Sequence, residues 1–247
     1  MSAQALHPNP PEPVMIKSIL AKSQRCLTAI ALVCPLLTPL GSAAQTTPGT
    51  PPKVRISTSV GNIEAELYAD KAPKTVANFL QYVNDKHYEG TVFHRVIPGF
   101  MVQGGGYDAQ YKERKTRPPV QHEGRQALAA GLKNTTGTLA MARTNDPQSA
   151  TAQFFINVVD NAFLDPTPIP DGDPVAKFEY QGRVYENVAR AQLINAPQLF
   201  GYTVFGKVTS GMDVVQKIRT TPTGAGGPFP SDVPKTPVLI QSITLLK

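Results

Sequence analysis

The sequence feature that most limits the fold is a series of short runs in which apolar and polar residues alternate. Residues 54–59 and 63–68 alternate on either side of a Val-Gly-Asn turn signal, which predicts an antiparallel β-hairpin with one buried face. Comparable strand-like runs follow at 92–97, 100–103, 138–142, 154–158, 202–208 and 238–246. The chain also holds 24 prolines, which favour turns over long helices. Short strands should therefore dominate the fold.

Two segments carry a helical period instead. Val76, Phe79 and Val83 recur at helical spacing and predict an amphipathic helix over 73–86, with a proline in its first turn. A shorter helix is predicted over 212–219, whereas the polar stretch between the strands at 100–103 and 138–142 is interpreted as a loop. Strands and helices do not alternate as in parallel α/β folds. The pattern therefore predicts a mainly β protein, an antiparallel barrel with helical plugs.

The N-terminal segment has the order of parts that a secretory signal peptide requires. Basic residues up to Arg25 precede an apolar run over 26–40, which is too short to cross a bilayer comfortably, and small residues up to Ala44 follow. We predict a signal peptide over 1–44, cleaved near Ala44, and a periplasmic location. Two alternatives stay open: a buried helix, which the prolines in the run disfavour, and a lipoprotein acylated at Cys34.

Removal of this segment changes the charge and the cysteine content. Both cysteines leave with 1–44, together with three basic residues and one acidic residue, so the formal net charge falls from +6 to +4. Met15 is a candidate for the true start, since 1–14 adds nothing that a signal peptide needs. Residues 45–52 are expected to form a linker and 53–247 a single domain. Paired metal-ligand spacing and nucleic-acid-binding motifs are absent from the sequence, so we expect no metal, no cofactor and no nucleic-acid partner.

Three motifs carry a more specific signal. They are FHRVIPGFMVQGG at 93–105, GTLAMAR at 137–143 continued by SATAQFFIN at 149–157, and GYTVFGKV at 201–208. In this order they resemble the cyclophilins, the cyclosporin-binding peptidyl-prolyl cis-trans isomerases. Together with the signal peptide, the chain resembles the exported bacterial branch of that family.

The resemblance implies a fold and a reaction. The fold is a closed eight-stranded antiparallel β-barrel capped by two α-helices, with the site on the outer face of the barrel. The reaction is rotation about X–Pro bonds in unfolded or proline-containing polypeptides, carried out by a monomer without a cofactor. No membrane attachment of the mature form is expected. The alternative is a cyclophilin-like chaperone or peptide-binding module with little catalysis, which would not need the arginine of the first motif.

The resemblance also assigns roles to single residues. Arg95 matches the catalytic arginine, which would donate a hydrogen bond to the prolyl nitrogen in the twisted state. The substrate-binding positions comprise a proline pocket, polar residues that position the arginine and the peptide, and a stretch that contacts the substrate main chain. In that order they are Phe100, Met101, Phe155 and Leu164; Gln103 and Gln153; and Ala142, Arg143 and Thr144.

Three positions depart from the pattern of the family. Arg143 stands where an asparagine is usual, and Tyr202 where a histidine is frequent, although a tyrosine can still donate a hydrogen bond. Phe163 stands where a tryptophan supports tight cyclosporin binding. The chain is therefore expected to bind substrate but to bind cyclosporin only weakly.

An insertion over 166–200 separates the Phe-Leu-Asp element from the last motif. It begins with a proline-rich loop, and 184–193 is predicted as a short helix. Because its ends flank Leu164 and Tyr202, it should emerge beside the pocket. A lid that binds clients and an inert surface loop are both compatible with the sequence, since long insertions are tolerated.

Overall fold

The computed structural model describes residues 50–246, so the predicted signal peptide and the first part of the linker lie outside the described residues. Within this range the structure has twelve strands and four α-helices. The strands are β1 Lys53–Thr58, β2 Gly61–Leu67, β3 Thr91–Ile97, β4 Met101–Asp108, β5 Thr138–Met141, β6 Phe154–Asn157, β7 Val175–Tyr180, β8 Arg183–Val188, β9 Val204–Ser210, β10 Thr223–Gly226, β11 Phe229–Pro234 and β12 Leu239–Leu246. The helices are α1 Pro73–Asn84, α2 Gly124–Ala129, α3 Arg190–Asn195 and α4 Met212–Arg219.

Eight of the strands close into an antiparallel barrel in the order β1-β12-β3-β4-β6-β5-β9-β2. One face of each strand fills the interior, where large side chains such as Phe93, Leu139, Phe154 and Phe205 are fully buried. The buried faces of α1 and α4 belong to the same apolar core. This confirms the mainly β, eight-stranded closed barrel with two capping helices. No helix within residues 50–246 is long and apolar enough to span a bilayer.

The interpretation of the segment between β4 and β5 as loop was incomplete, because α2 lies within it. The residue before α2, Glu123, is buried, and its carboxylate accepts hydrogen bonds from the backbone N–H groups of Lys74 and Thr75, at 3.1 and 2.8 Å. A carboxylate there satisfies backbone donors that the first turn of α1 leaves free. The contact joins two segments far apart in sequence and holds the residue before α2 against the first turn of α1.

The predicted helix over 184–193 was wrong. Residues 184–188 belong to β8, which pairs with β7 in a two-stranded hairpin, and only the turn of helix α3 follows. The hairpin is closed by Gln181 and Gly182, both with positive φ (50° and 72°), which is the geometry of a two-residue turn that matches the twist of paired strands. The strands and α3 enclose an apolar cluster of their own, formed by Val175, Phe178, Leu193 and Leu199.

A second hairpin, β10–β11, was not predicted. It forms a separate two-stranded sheet outside the barrel, and β11 packs against β3. The glycine-rich and proline-rich sequence at 223–234 carries no alternating pattern, so nothing in it indicated strands. This hairpin contributes a side chain to the site described next.

Candidate active site

A β-bulge in β3 determines which side chains reach the outer surface of the barrel. Phe93 pairs with Gly104 and Arg95 pairs with Gln103, so β3 advances two residues where β4 advances one, and His94 is the extra residue. Phe93 belongs to the barrel core, whereas Arg95 is exposed. Gly104 permits the close approach of the strands, since a Cβ there would lie 3.0 Å from the Phe93 ring.

The glycine triplet 104–106 lies in β4 beside this bulge. These residues continue β4, and Gly105 alone has a positive φ, of 86°. A side chain at Gly105 would lie 2.8 Å from the ring of Tyr88, so the absence of a Cβ allows the aromatic core to pack directly against the strand.

The outward residues of β4, β5 and β6 form a second apolar cluster. Val102, Leu139 and Ile156 face the barrel interior, and their neighbours alternate to the other side, as the two-residue period of strands requires. The buried members of the outer cluster are Met101, Ala140, Phe155, Leu164 and Val204. This cluster forms the apolar floor of a cleft outside the barrel.

The cleft has a volume of about 260 Å³ and contains most of the predicted site residues. Ten of the twelve line it: Arg95, Phe100, Met101, Gln103, Ala142, Arg143, Gln153, Phe155, Leu164 and Tyr202. Three further lining residues, His94, Tyr107 and Phe229, were not predicted. His94 and Tyr107 could have been found from their place in or next to the first motif, but Phe229 comes from the hairpin β10–β11, which had no sequence signal.

Two predicted residues lie outside the lining. The Thr144 hydroxyl is 2.8 Å from the Ser149 hydroxyl, and its oxygen accepts a hydrogen bond from the Asp146 backbone N–H, so the side chain shapes the turn after β5. Phe163 is 74% exposed and stacks on Phe100 with 5.5 Å between ring centroids. It extends the rim of the cleft without forming its wall.

On the polar side of the cleft, the guanidinium of Arg95 has no partner within residues 50–246. Gln103 Nε2 donates a hydrogen bond to Gln153 Oε1 at 3.0 Å, so the two amides orient each other. Arg95 lies opposite Gln103 in the strand register. Its guanidinium makes no hydrogen bond or ion pair with any residue in 50–246 and is available to a ligand.

Arg143, in contrast, is held internally. Its Nε and Nη2 donate to the Gly201 carbonyl at 3.0 and 2.9 Å, its Nη1 donates to the Thr144 carbonyl, and its guanidinium lies 4.6 Å from the Tyr202 ring centroid. Tyr202 in turn meets Phe155 edge to face at 5.6 Å. The arginine at this departure from the family pattern thus holds the Gly201–Tyr202 segment against the end of β5.

His122 bonds to the same carbonyl from the other side. Its Nδ1 accepts the Gly124 backbone N–H at 3.1 Å, so the proton sits on Nε2, which donates to the Gly201 carbonyl at 3.2 Å. Burial lowers the pKa of His122 to about 4, and burial has the same effect on His94. Both imidazoles are therefore neutral near pH 7. In 50–246, no group of His, Cys, Asp or Glu is arranged to hold a metal ion.

The insertion does not cover the cleft. Its residues, 166–200, are absent from the lining, and it is attached instead to α2, where Arg125 Nη1 donates to the Ile194 carbonyl at 2.8 Å. Arg125 also lies over the ring of Phe200, at 4.4 Å from its centroid. In this arrangement the insertion is an appendage beside the site and not a lid over it.

Fold and cleft together define a class, the β-barrel proteins with a small apolar cleft and a free arginine on the outer face. A family model described as "Cyclophilin type peptidyl-prolyl cis-trans isomerase/CLD" matches residues 53–245. The chain therefore belongs to the cyclophilin-type peptidyl-prolyl cis-trans isomerases, and the resemblance of the three motifs is confirmed at the level of the family.

Individual relatives agree with this assignment. The chain is 43% identical over 225 residues to "Peptidyl-prolyl cis-trans isomerase A" of Dickeya dadantii, covering 91% of this chain and 99% of the relative. It is 46% identical over 192 residues to a peptidyl-prolyl cis-trans isomerase of Acinetobacter baylyi, covering 78% of this chain and 84% of the relative. A crystal structure of a Cryptosporidium parvum cyclophilin type isomerase matches with a TM-score of 0.50 at 22% identity, covering 79% and 98% of the two chains, and supports the fold alone.

The partly buried His122 should make the stability of the fold sensitive to acid. Its folded pKa of about 4 lies below the usual 6.5, so the unfolded chain binds the proton first, and stability is lost as the pH falls from about 6.5 towards 4. Protonation of His122 should lower the free energy of unfolding by about 2 kcal/mol between pH 7 and 4.5. In His122→Gln this contribution is absent, so we expect the drop over the same pH range to be smaller by that amount. Urea unfolding of both proteins at the two pH values measures this, and equal losses would contradict the assignment.

Proposed function

We propose that the chain accelerates rotation about X–Pro amide bonds by holding the proline ring in the cleft and by hydrogen bonding from Arg95 to the prolyl nitrogen. Resonance in the C–N bond sets a barrier of roughly 20 kcal/mol, so the uncatalysed rotation takes tens to hundreds of seconds. No bond is broken in this reaction. A catalyst therefore needs only to bind the twisted amide more tightly than the planar one.

The apolar floor supplies the grip on the substrate. Met101, Phe155 and Leu164 are buried against one another on the outer face, and Phe100 forms the partly exposed edge. A proline ring is small and apolar. Its burial in the cleft contributes about 25 cal/mol of binding free energy for each Å² of apolar surface removed from water. With the ring fixed, the residue before the proline is the part that rotates.

Arg95 supplies the preference for the twisted state. In the planar amide the nitrogen lone pair is delocalised and accepts no hydrogen bond, whereas in the twisted amide the nitrogen becomes pyramidal and accepts one. A guanidinium beside the ring stabilises the second state and leaves the first unchanged. The observation that carries the proposal is that Arg95 borders the apolar cleft without a partner in residues 50–246. The Gln103–Gln153 pair lies next to this arginine in the strand register and offers amide groups to the peptide backbone.

Replacement of Arg95 separates catalysis from binding. We expect Arg95→Ala to lower kcat/KM in a proline-isomerisation assay by about 10²–10³-fold, because one transition-state hydrogen-bond donor is lost, while the dissociation constant for a proline peptide changes little. Arg183→Ala is the matched control, because Arg183 is exposed on the insertion hairpin. Full activity of Arg95→Ala would refute the mechanism. Peptide binding without turnover in the unmodified protein would favour the chaperone or peptide-binding alternative.

We further propose that the protein belongs to the exported branch and assists the folding of exported proteins in the periplasm, as a monomer. The support comes from the basic, apolar and small-residue order of 1–44. The match with the Dickeya dadantii isomerase covers 91% of this chain and so reaches into the segment before Lys53. A cysteine-free mature chain also suits an oxidising compartment.

Processing of the N-terminus tests this proposal. N-terminal sequencing of the protein recovered from a periplasmic fraction should begin at Gln45 or a close neighbour. Ala44→Arg should block cleavage because it places a bulky charge directly before the cut, whereas the matched change Ala43→Arg should be tolerated. A protein that stays in the cytosol would overturn the export proposal, and a first residue at Cys34 would identify a lipoprotein.

Cyclosporin binding should be weak, because Phe163 replaces a tryptophan at the rim. Its exposed ring has no polar N–H to offer a ligand, which an indole would supply. We expect Phe163→Trp to tighten cyclosporin binding in a fluorescence titration, with Phe163→Leu as the control that lacks an indole. A low-nanomolar dissociation constant for the unmodified protein would contradict this expectation.

A further inference from the structure

The cleft has an aromatic end that the proline-binding mechanism does not use. His94, Tyr107 and Phe229 all line the cleft, yet none of them belongs to the apolar cluster beneath it. Phe229 belongs to the hairpin β10–β11, which lies outside the barrel and packs against β3 through β11. Three strands, β3, β4 and β11, thus bring rings to one place beside Arg95.

The three rings face one another. The His94 and Tyr107 centroids are 4.7 Å apart, His94 and Phe229 are 5.4 Å apart, and Tyr107 meets Phe229 edge to face at 5.0 Å. These are distances at which aromatic rings attract one another. His94 is almost completely buried at 3% exposure, whereas Tyr107 and Phe229 keep part of their surface open.

The strand register places this aromatic end beyond Arg95. Along β4, Met101 pairs with Ile97 and Gln103 pairs with Arg95, so the proline pocket lies at one end and the arginine follows it. Tyr107 comes later on the same strand. His94 is the direct neighbour of Arg95 on β3, and the Tyr107 and Phe229 rings pack on His94, so the aromatic end adjoins the arginine. A residue one or two positions from a bound proline is the part of a peptide nearest to it.

The three rings themselves carry no charge near pH 7. Burial keeps His94 neutral near pH 7, and no carboxylate of residues 50–246 lines the cleft. The charged groups in the lining are the guanidinium groups of Arg95 and Arg143, and the second of these is held by the Gly201 carbonyl. The rings themselves offer faces and edges, which suit an aromatic or aliphatic side chain better than a charged one.

We propose that His94, Tyr107 and Phe229 form an aromatic subsite that binds an apolar or aromatic side chain one or two residues from the isomerised proline. This inference rests on the proposed function, because it assumes that the proline occupies the apolar cluster. It makes Phe229 a specificity-determining residue, contributed by a hairpin outside the barrel. His94 is almost completely buried and forms the base of this subsite, and the partly exposed rings of Tyr107 and Phe229 are the ones that can contact a bound side chain.

Matched peptides test the subsite. Each contains one X–Pro bond and carries either phenylalanine or alanine at one of the two positions before the proline or one of the two positions after it. The ratio of kcat/KM for the phenylalanine peptide to that for the alanine peptide should reach about 3- to 10-fold at one position. Phe229→Ala should bring this ratio close to one. Phe229→Leu, which keeps apolar packing for the hairpin, should lower it partly, and Tyr185→Ala on the insertion should leave it unchanged.

Dissociation constants of the same peptides, measured by calorimetry, distinguish a failure of the aromatic subsite from a failure of the proposed isomerase mechanism. A preference in binding that Phe229→Ala abolishes, without turnover of any peptide, would retain the subsite and refute the isomerase mechanism. Turnover with ratios within twofold of one at all four positions would refute the subsite alone. A preference that both Phe229 variants retain in full would refute it as well.

Discussion

The closed barrel imposes a strict division of side chains, and the cleft follows from it. Each strand gives every second residue to an interior that must be filled, so the residues between are free to face outwards. On β4, β5 and β6 those outward residues are Met101, Ala140 and Phe155, which together form an apolar floor. On β3 the bulge at His94 breaks the alternation, so that His94 and Arg95 both leave the interior while Phe93 and Val96 remain in the core. One inserted residue therefore places the cation beside the apolar floor.

The carbonyl of Gly201 joins two segments at the edge of the cleft. Gly201 accepts hydrogen bonds from Arg143 and from His122, two residues that belong to different loops. Its φ of 61° and its close approach to Leu164 and Pro166, where a Cβ would lie within 2.6 Å of the backbone, restrict this position to glycine. Because Tyr202 and Leu164 adjoin this point, the shape of the proline pocket depends on a backbone carbonyl that the side chains of Arg143 and His122 hold in place.

Apolar periodicity predicted the strands and helices whose buried residues recur at regular spacing. The three motifs predicted the site residues that lie within them or close to them in sequence. The helix from Pro73, the hairpin at 54–68 and the short helix from Met212 are confirmed by the structure, with only their ends displaced. The helix predicted over 184–193 was wrong because Gln181 and Gly182 close a tight hairpin. The positive φ angles of this turn pair the following residues with β7, and apolar spacing alone does not reveal them. Phe229 could not be predicted, since only the tertiary contact between β11 and β3 brings it to the cleft.

The insertion over 166–200 can be present beside the cleft without changing the geometry of the cleft. Val175, Phe178, Leu193 and Leu199 give the segment an apolar cluster of its own, so its order does not depend on burying the side chains of the cleft. It is attached to α2 through Arg125, which does not line the cleft. Long loops cost little additional closure entropy once their ends are fixed. A segment with its own core and a separate anchor can therefore be added beside Leu164 and Tyr202 without changing the distance between the proline pocket and the arginine.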